Sequence, residues 1–292
     1  MTYCVAMRLT AGLVFLSDSR TNAGVDQIST FRKMTVFEHP GERLMVLLSA
    51  GNLAITQAVR QIVCERTGPH DDSVWNAKTM FEAVRVVGEA VREVRTRDAA
   101  ALKDAGIEFN CNFILGGQIR GEGLRLFHVY AAGNFIEATP ENPYFQIGEA
   151  KYGKPIIDRV IGPSTGLDEA AKCALISMDS TLRSNISVGL PLDLLVYEVD
   201  SLRVTRFVQI DHANQYMQMI RNAWGARLKQ VFQEIPDPTW RDANAAPGAP
   251  RLETELTHPV RAPLPASVEV DVHPEVSQVQ LVAGGAQAQS PR

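Results

Sequence analysis

The 292-residue chain lacks any long apolar run. No uninterrupted apolar segment approaches the roughly 20 residues that a helix needs to cross a bilayer. The opening residues also lack the basic stretch, apolar core and cleavage site of a signal peptide. We therefore expect no membrane partner and a cytoplasmic location.

Excess charge and paired cysteines are scarce as well. The formal net charge is only -4, which is too small an imbalance to indicate a nucleic-acid partner. None of the cysteines has the close pairing that is typical of zinc or redox sites, and the histidines are equally scattered. The four cysteines are Cys4, Cys64, Cys111 and Cys173. We expect them to be small buried hydrophobic residues, and we expect no metal and no cofactor.

What the chain does have is a threonine directly after its first methionine. Thr2 leads straight into a strand-like run over residues 2–9. Removal of Met1 would leave Thr2 with a hydroxyl nucleophile and an α-amine whose pKa is about 7.7 to 8.0, so one residue would supply both attack and proton removal. Because many chains begin with Met-Thr, this pattern needs helper groups to indicate an active site.

Three later residues have the chemistry of such helpers. Asp18 lies near the end of a second apolar strand, residues 12–20, and Lys33 leads into a third. A lysine ammonium beside a hydroxyl favours the alkoxide, and a buried aspartate keeps the lysine charged. Gly51 ends the apolar strand 44–51, where its N–H is open to a developing oxyanion. Singly, these residues fit a strand turn, a solvated charge and a helix start, but their joint order favours a site.

In this order of motifs the chain resembles the N-terminal-nucleophile hydrolases of the proteasome β-subunit and HslV type, most closely their bacterial Anbu branch. The resemblance is strongest over residues 1–60 and continues to about residue 240. It implies that Thr2 is the nucleophile, that Asp18 and Lys33 are the charged pair, and that Gly51 is the oxyanion glycine. It also implies that Ser187 is the serine of the Asp-x-x-Ser-Gly motif, that the substrate is a peptide or unfolded protein, and that the assembly is a homo-oligomeric ring or open ring. The resemblance does not decide whether the protein has an ATPase partner.

Two positions depart from the family pattern. Ser184 stands where the motif has its aspartate, and Glu149 replaces the serine of a Gly-Ser-Gly motif that helps to order the nucleophile. Two alternatives to a peptidase therefore remain. One is an amidase that acts on a small non-peptide amide, and the other is a weakly active scaffold or binding assembly that keeps the fold.

Periodicity predicts a first helix over residues 52–66 and a long second helix that Asp72 or Ser73 caps. Further helices are expected from Pro155 to Val160 and from Thr165 to Leu182. The second helix is expected to bury Phe81, Val84, Val87, Val91 and Val94. A final helix from His212, stopped by Pro236, is expected to bury Met217, Ile220, Trp224, Leu228 and Val231.

The remaining segments alternate like strands. Residues 109–115 and 124–131 are expected to flank a glycine-rich turn at 116–123, and residues 192–199 and 202–210 to flank a turn at Asp200 and Ser201. This order predicts an α+β fold, and the resemblance narrows it to a four-layer αββα sandwich. We assign residues 1–240 to one hydrolase domain and residues 241–292, rich in proline, alanine and glycine, to a mostly disordered tail.

Overall fold

The computed structural model describes residues 2–23, 27–68 and 71–238. The strands are β1 Tyr3–Leu9, β2 Gly12–Asp18, β3 Arg20–Ala23, β4 Gln27–Thr30, β5 Met34–His39, β6 Arg43–Gly51, β7 Cys111–Ile119, β8 Arg125–Val129, β9 Phe135–Glu137, β10 Tyr144–Gly148, β11 Leu192–Glu198 and β12 Arg206–Ile210. The helices are α1 Leu53–Glu65, α2 Met80–Asp104, α3 Lys154–Val160, α4 Leu167–Ser184 and α5 Gln215–Glu234, with a 3-10 turn at Ala150–Tyr152.

Two five-stranded antiparallel sheets form the centre of the fold. One has the strand order β10-β1-β2-β11-β12 and the other the order β5-β6-β7-β8-β9, while β3 and β4 form a separate hairpin. One apolar cluster joins the second sheet to α1 and α2, and another joins the first sheet to α3, α4 and α5. A third cluster fills the space between the sheets. The predicted four-layer αββα sandwich is confirmed.

Strand β1 shows why both faces of a sheet are apolar. Side chains of a strand point alternately to its two faces. Val5 and Met7 pack towards the helices, while Cys4 and Ala6 pack against the second sheet. All four are buried, so these consecutive positions are all apolar. Polar and apolar residues therefore do not alternate there, as they would in a strand with one exposed face.

The first helix, Leu53–Glu65, lies within one residue of its predicted range at each end, but the second begins later than predicted. Thr79, not Asp72 or Ser73, is the N-cap of α2, and its hydroxyl accepts the Glu82 N–H. The preceding residues form turns because the buried Arg43 guanidinium binds the carbonyls of Val74 and Ala77. The predicted core valines of α2 are buried, whereas Phe81 is half-exposed, so its assignment to the core was wrong.

The glycines at 116 and 117 lie inside β7 and not in a turn. A Cβ on Gly117 would come within 2.1 Å of the Leu44 carbonyl oxygen, and one on Gly116 within 2.7 Å of the Leu126 side chain. Close packing of neighbouring chain, and not a bend, explains these glycines. The sequence also gave no signal for the short strands β3, β4, β9 and β10.

The last helix differs from prediction in its second half. Met217 and Ile220 are buried, Trp224 is half-buried, and Leu228 and Val231 are about half-exposed. The bonds that tie α5 to α4 lie in its first two turns, where Arg221 donates to Asp179 and its carbonyl accepts from Arg183. Beyond them the apolar stripe faces solvent.

Residues up to Phe232 form one compact unit. The predicted tail, residues 241–292, lies outside the described residues. Within the described ranges, no helix is both long enough and apolar enough to cross a membrane.

Candidate active site

Thr2 lies just before β1, and the end of β10 fixes its position. It is 8% exposed, and its carbonyl accepts the Glu149 N–H at 2.7 Å. Gly148 has a φ of 83°, and a Cβ there would come within 1.9 Å of the Thr2 carbonyl oxygen. Only glycine lets β10 approach the start of the chain this closely. The predicted nucleophile is therefore nearly buried where the start of β1 meets the end of the edge strand β10.

Asp18 and Lys33 form a buried ion pair. Lys33 Nζ lies 2.8 Å from Asp18 Oδ1, and the two side chains are 6% and 0% exposed. The same Oδ1 accepts the Tyr3 N–H at 3.0 Å, and Oδ2 accepts the Gly189 N–H at 3.4 Å. Three donors thus converge on one carboxylate, as a buried charge requires. The predicted pairing of these two side chains is present.

Burial and the neighbouring hydrogen-bond donors act in opposite directions on the pKa of Asp18. Burial raises the pKa of Asp18, while the Lys33 ammonium and the two backbone N–H groups oppose this rise. Lys33 Nζ also donates to the Arg20 carbonyl at 2.6 Å, so two of its three N–H groups are used.

Asp18 connects Lys33 to the start of β1, next to Thr2. Asp18 binds Lys33 and the N–H of the residue that follows Thr2. Among the hydrogen bonds between described residues, none joins Lys33 Nζ to the Thr2 hydroxyl. Direct activation of that hydroxyl by the lysine therefore remains a prediction.

Gly51 closes β6 with a backbone that other residues rarely adopt. Its φ is 118°, and a Cβ would come within 2.4 Å of the Asn110 carbonyl oxygen. Ser49, two residues earlier, donates its N–H to the Lys33 carbonyl, and its own carbonyl lies 3.7 Å from Cys4 Sγ. These contacts bring the end of β6 close to both β1 and Lys33. The role of Gly51 as an oxyanion donor remains a prediction.

In the loop from 185 to 191, the sequence analysis named Ser187 but did not predict the loop's contacts with residues 18–20. Gly189 reaches Asp18, the Ile186 carbonyl accepts from Arg20, and the Pro191 carbonyl accepts both the N–H and the hydroxyl of Ser19. Ser187 is half-buried in this loop, and its N–H binds the Asn185 side chain. The glycine two residues after Ser187 was the available signal.

Glu149 is an acidic residue whose backbone contacts Thr2. Its N–H holds the Thr2 carbonyl, and its Oε2 is buried with no hydrogen bond to any described residue. Lys151 forms an ion pair with this oxygen, with its Nζ 3.7 Å away on a largely exposed side chain. In the described ranges, no three His, Cys, Asp or Glu side chains are grouped to hold a metal ion.

Two stacked sheets between helical layers, with a threonine directly before the first strand, define a sandwich of the N-terminal-nucleophile hydrolase type. Solved structures of the same fold include Anbu (ancestral beta-subunit) from Yersinia bercovieri, at 56% identity and a TM-score of 0.77 over 82% of this chain and 100% of that one. Anbu from Hyphomicrobium sp. strain MC1 is 51% identical, with a TM-score of 0.75 over 81% and 99%.

A third structure is the helical assembly of the Anbu complex from Pseudomonas aeruginosa, at 47% identity and a TM-score of 0.78 over 82% and 98%. No protein-family model matches the chain, and no curated protein does. The chain belongs to the Anbu family of bacterial proteasome-type homologues.

Proposed function

We propose that this chain is a threonine peptidase whose nucleophile is Thr2, freed by removal of Met1. Thr2 Oγ1 would attack an amide carbonyl while its α-amine takes the hydroxyl proton. The Gly51 N–H would stabilise the oxyanion. The C–N bond would then break as the α-ammonium returns its proton to the departing amine, and water would hydrolyse the acyl ester left on Thr2. Ser187, on the loop that contacts Asp18, would support the site.

The observation that carries this proposal is the buried Lys33–Asp18 pair beside the start of β1. A buried ion pair is weak evidence for stability, because hydrophobic residues of similar volume often serve as well. Lys33 keeps one N–H that no described residue uses, and a lysine so placed lowers the cost of forming an alkoxide. The pair is better explained by chemistry at Thr2 than by packing.

Replacing the nucleophile tests the proposal directly. Thr2→Ala should abolish covalent labelling by a peptide β-lactone, an electrophile that acylates hydroxyl nucleophiles, whereas Thr2→Ser should retain it. Intact mass measurement gives both the adduct and the state of Met1. Thr10→Ala, the same change at an exposed threonine on the next turn, is the control.

Two outcomes would overturn the assignment. One is labelling of Thr2→Ala at the wild-type rate. The other is purified wild-type protein that still carries Met1, since the α-amine would then be absent.

Self-assembly and location belong to the same proposal. The Pseudomonas aeruginosa structure is described as a helical assembly. We infer that this chain also forms a homo-oligomer, as a ring or an open ring, in the cytoplasm, with a peptide or unfolded protein as substrate. The exposed apolar residues Leu228, Val231 and Phe232 of α5 are suited to an interface between copies.

A catalytically weak assembly is the second candidate, and Glu149 favours it. A carboxylate close to the α-amine would hold that amine protonated, and a protonated amine cannot act as the base. Wild-type protein that has lost Met1 and yet resists the β-lactone would support this candidate.

A further inference from the structure

A pocket of about 410 Å³ opens between the edge strands β5 and β12 of the two sheets. This volume lies in the range of about 300 to 1,000 Å³ that is usual for small-molecule sites. Its walls are mostly apolar, and they include Met34 and Val36 from β5, Leu195 from β11 and Phe207 from β12. A ligand of this pocket would therefore need an apolar portion.

One wall of the pocket carries a buried carboxylate with a free acceptor. Asp193 is 1% exposed, and its Oδ1 has no hydrogen-bond partner among the described residues. Ser17 lies directly opposite Asp193 in the β2–β11 register, and its hydroxyl is likewise buried and unpartnered within the described ranges. Residues opposite each other in a sheet direct their side chains to the same face. Two buried oxygen atoms without a described partner therefore lie on directly opposed residues and on the same face of the sheet, and Asp193 is the one of the two that lines the pocket.

Buried polar atoms without partners are costly, so such a pair indicates that a donor belongs there. An ionised carboxylate only accepts hydrogen bonds, which calls for a donor that is preferably cationic. The described residues around the pocket offer too few ligands for a metal ion. The half-exposed Phe207 ring can add a cation–π contact.

We propose that this pocket binds a primary ammonium group on a short aliphatic stem, with the ammonium at Asp193 and Ser17 and the stem along Met34, Val36 and Leu195. A free alkylamine and a lysine side chain share this chemistry. Ser17 directly precedes Asp18 and Arg32 directly precedes Lys33, so the pocket and the proposed catalytic pair use neighbouring residues of the same two segments.

Arg32 is the cation that opposes such a ligand. It lines the pocket but is exposed, and no hydrogen bond to another described residue holds its guanidinium. Its charge lowers the pKa of Asp193, against the larger effect of burial, which raises it. Because Arg32 is exposed, its guanidinium is already hydrated and would gain little free energy from pairing with Asp193. Arg32 therefore competes only weakly with a ligand for this carboxylate.

Titration calorimetry of the full chain with n-butylammonium tests the site, with uncharged 1-butanol as the matched probe. We expect saturable binding of n-butylammonium only. Asp193→Asn should weaken it at least about tenfold, since a charge-assisted hydrogen bond is lost. Arg32→Ala should tighten it a few-fold. Asp104→Asn, at an exposed position at the end of α2, should leave it unchanged.

A second arm uses Nα-acetyl-lysine methylamide. Its binding at the same site would show that the pocket accepts a lysine side chain, whereas binding of butylammonium alone would identify a small amine as the ligand. The proposal is overturned if butylammonium does not saturate wild type, if 1-butanol binds as well, or if Asp193→Asn binds with wild-type affinity. If Asp193→Asn does not fold, the proposal is instead overturned when Arg32→Ala binds butylammonium with wild-type affinity.

Discussion

Asp18 and Asp193 are two buried carboxylates on neighbouring strands of one sheet, and their surroundings differ. Asp18 receives the Lys33 ammonium and the N–H groups of Tyr3 and Gly189. Asp193 keeps one buried oxygen that no described residue binds. Burial alone therefore does not assign a role. The first carboxylate is fully used inside the protein, and the second is available to a molecule from outside.

The strongest test of this contrast removes the charge of Asp18. Asp18→Asn leaves the buried Lys33 ammonium without its counter-ion, which should lower the free energy of unfolding by about 3 to 5 kcal/mol. Urea unfolding measures this loss. The double variant Asp18→Asn/Lys33→Met should recover most of the stability without recovering β-lactone labelling, because it no longer buries an unpaired charge.

The exposed pair Arg125–Glu137 gives the control. Its Nη2 to Oε2 distance is 2.6 Å, close to that of the buried pair, but both side chains are substantially exposed. Glu137→Gln should therefore cost no more than about 1 kcal/mol. If Asp18→Asn costs as little, then Asp18 is not the charge that holds Lys33.

At Asp193 we expect replacement by asparagine to change the free energy of unfolding in the opposite direction. Asp193→Asn removes a buried charge that lacks a full set of donors, so it should raise the free energy of unfolding at pH 7 by about 1 to 3 kcal/mol. Burial raises the pKa of Asp193 in the folded state. The folded wild type thus holds its proton to higher pH than the unfolded chain does, and it loses stability as the pH rises through the folded pKa.

The advantage of Asp193→Asn should accordingly vanish near pH 3.5, below the ordinary aspartate pKa of about 3.9, and grow as the pH rises. Unfolding in urea at several pH values measures the difference between variant and wild type. A constant difference across this range would mean that Asp193 titrates normally in the folded protein.

The pairing of Asp18 with Lys33 could be predicted because Asp18 ends one apolar strand and Lys33 directly precedes another. Gly189 and Glu149 reach the site across more than a hundred residues, through a loop and a short strand of mixed polarity, and local patterns carry no such information. Asp193 gave a weak signal, because it is a charged residue within a strand that is otherwise apolar until its last residue, Glu198. Because that strand is buried on both faces, alternation could not show that Asp193 points inward.

The smallest expected effect separates the two serines that flank Asp18. The Ser19 hydroxyl donates to the Pro191 carbonyl at 2.6 Å, so Ser19→Ala should lower the free energy of unfolding by about 1 kcal/mol. The Ser17 hydroxyl is buried without a described partner, so Ser17→Ala should be neutral or slightly stabilising in the absence of ligand. Urea unfolding measures the free energy of unfolding of both variants. If Ser17→Ala costs as much as Ser19→Ala, its hydroxyl already has a partner in solution, and the proposed ammonium site would then consist of Asp193 without Ser17.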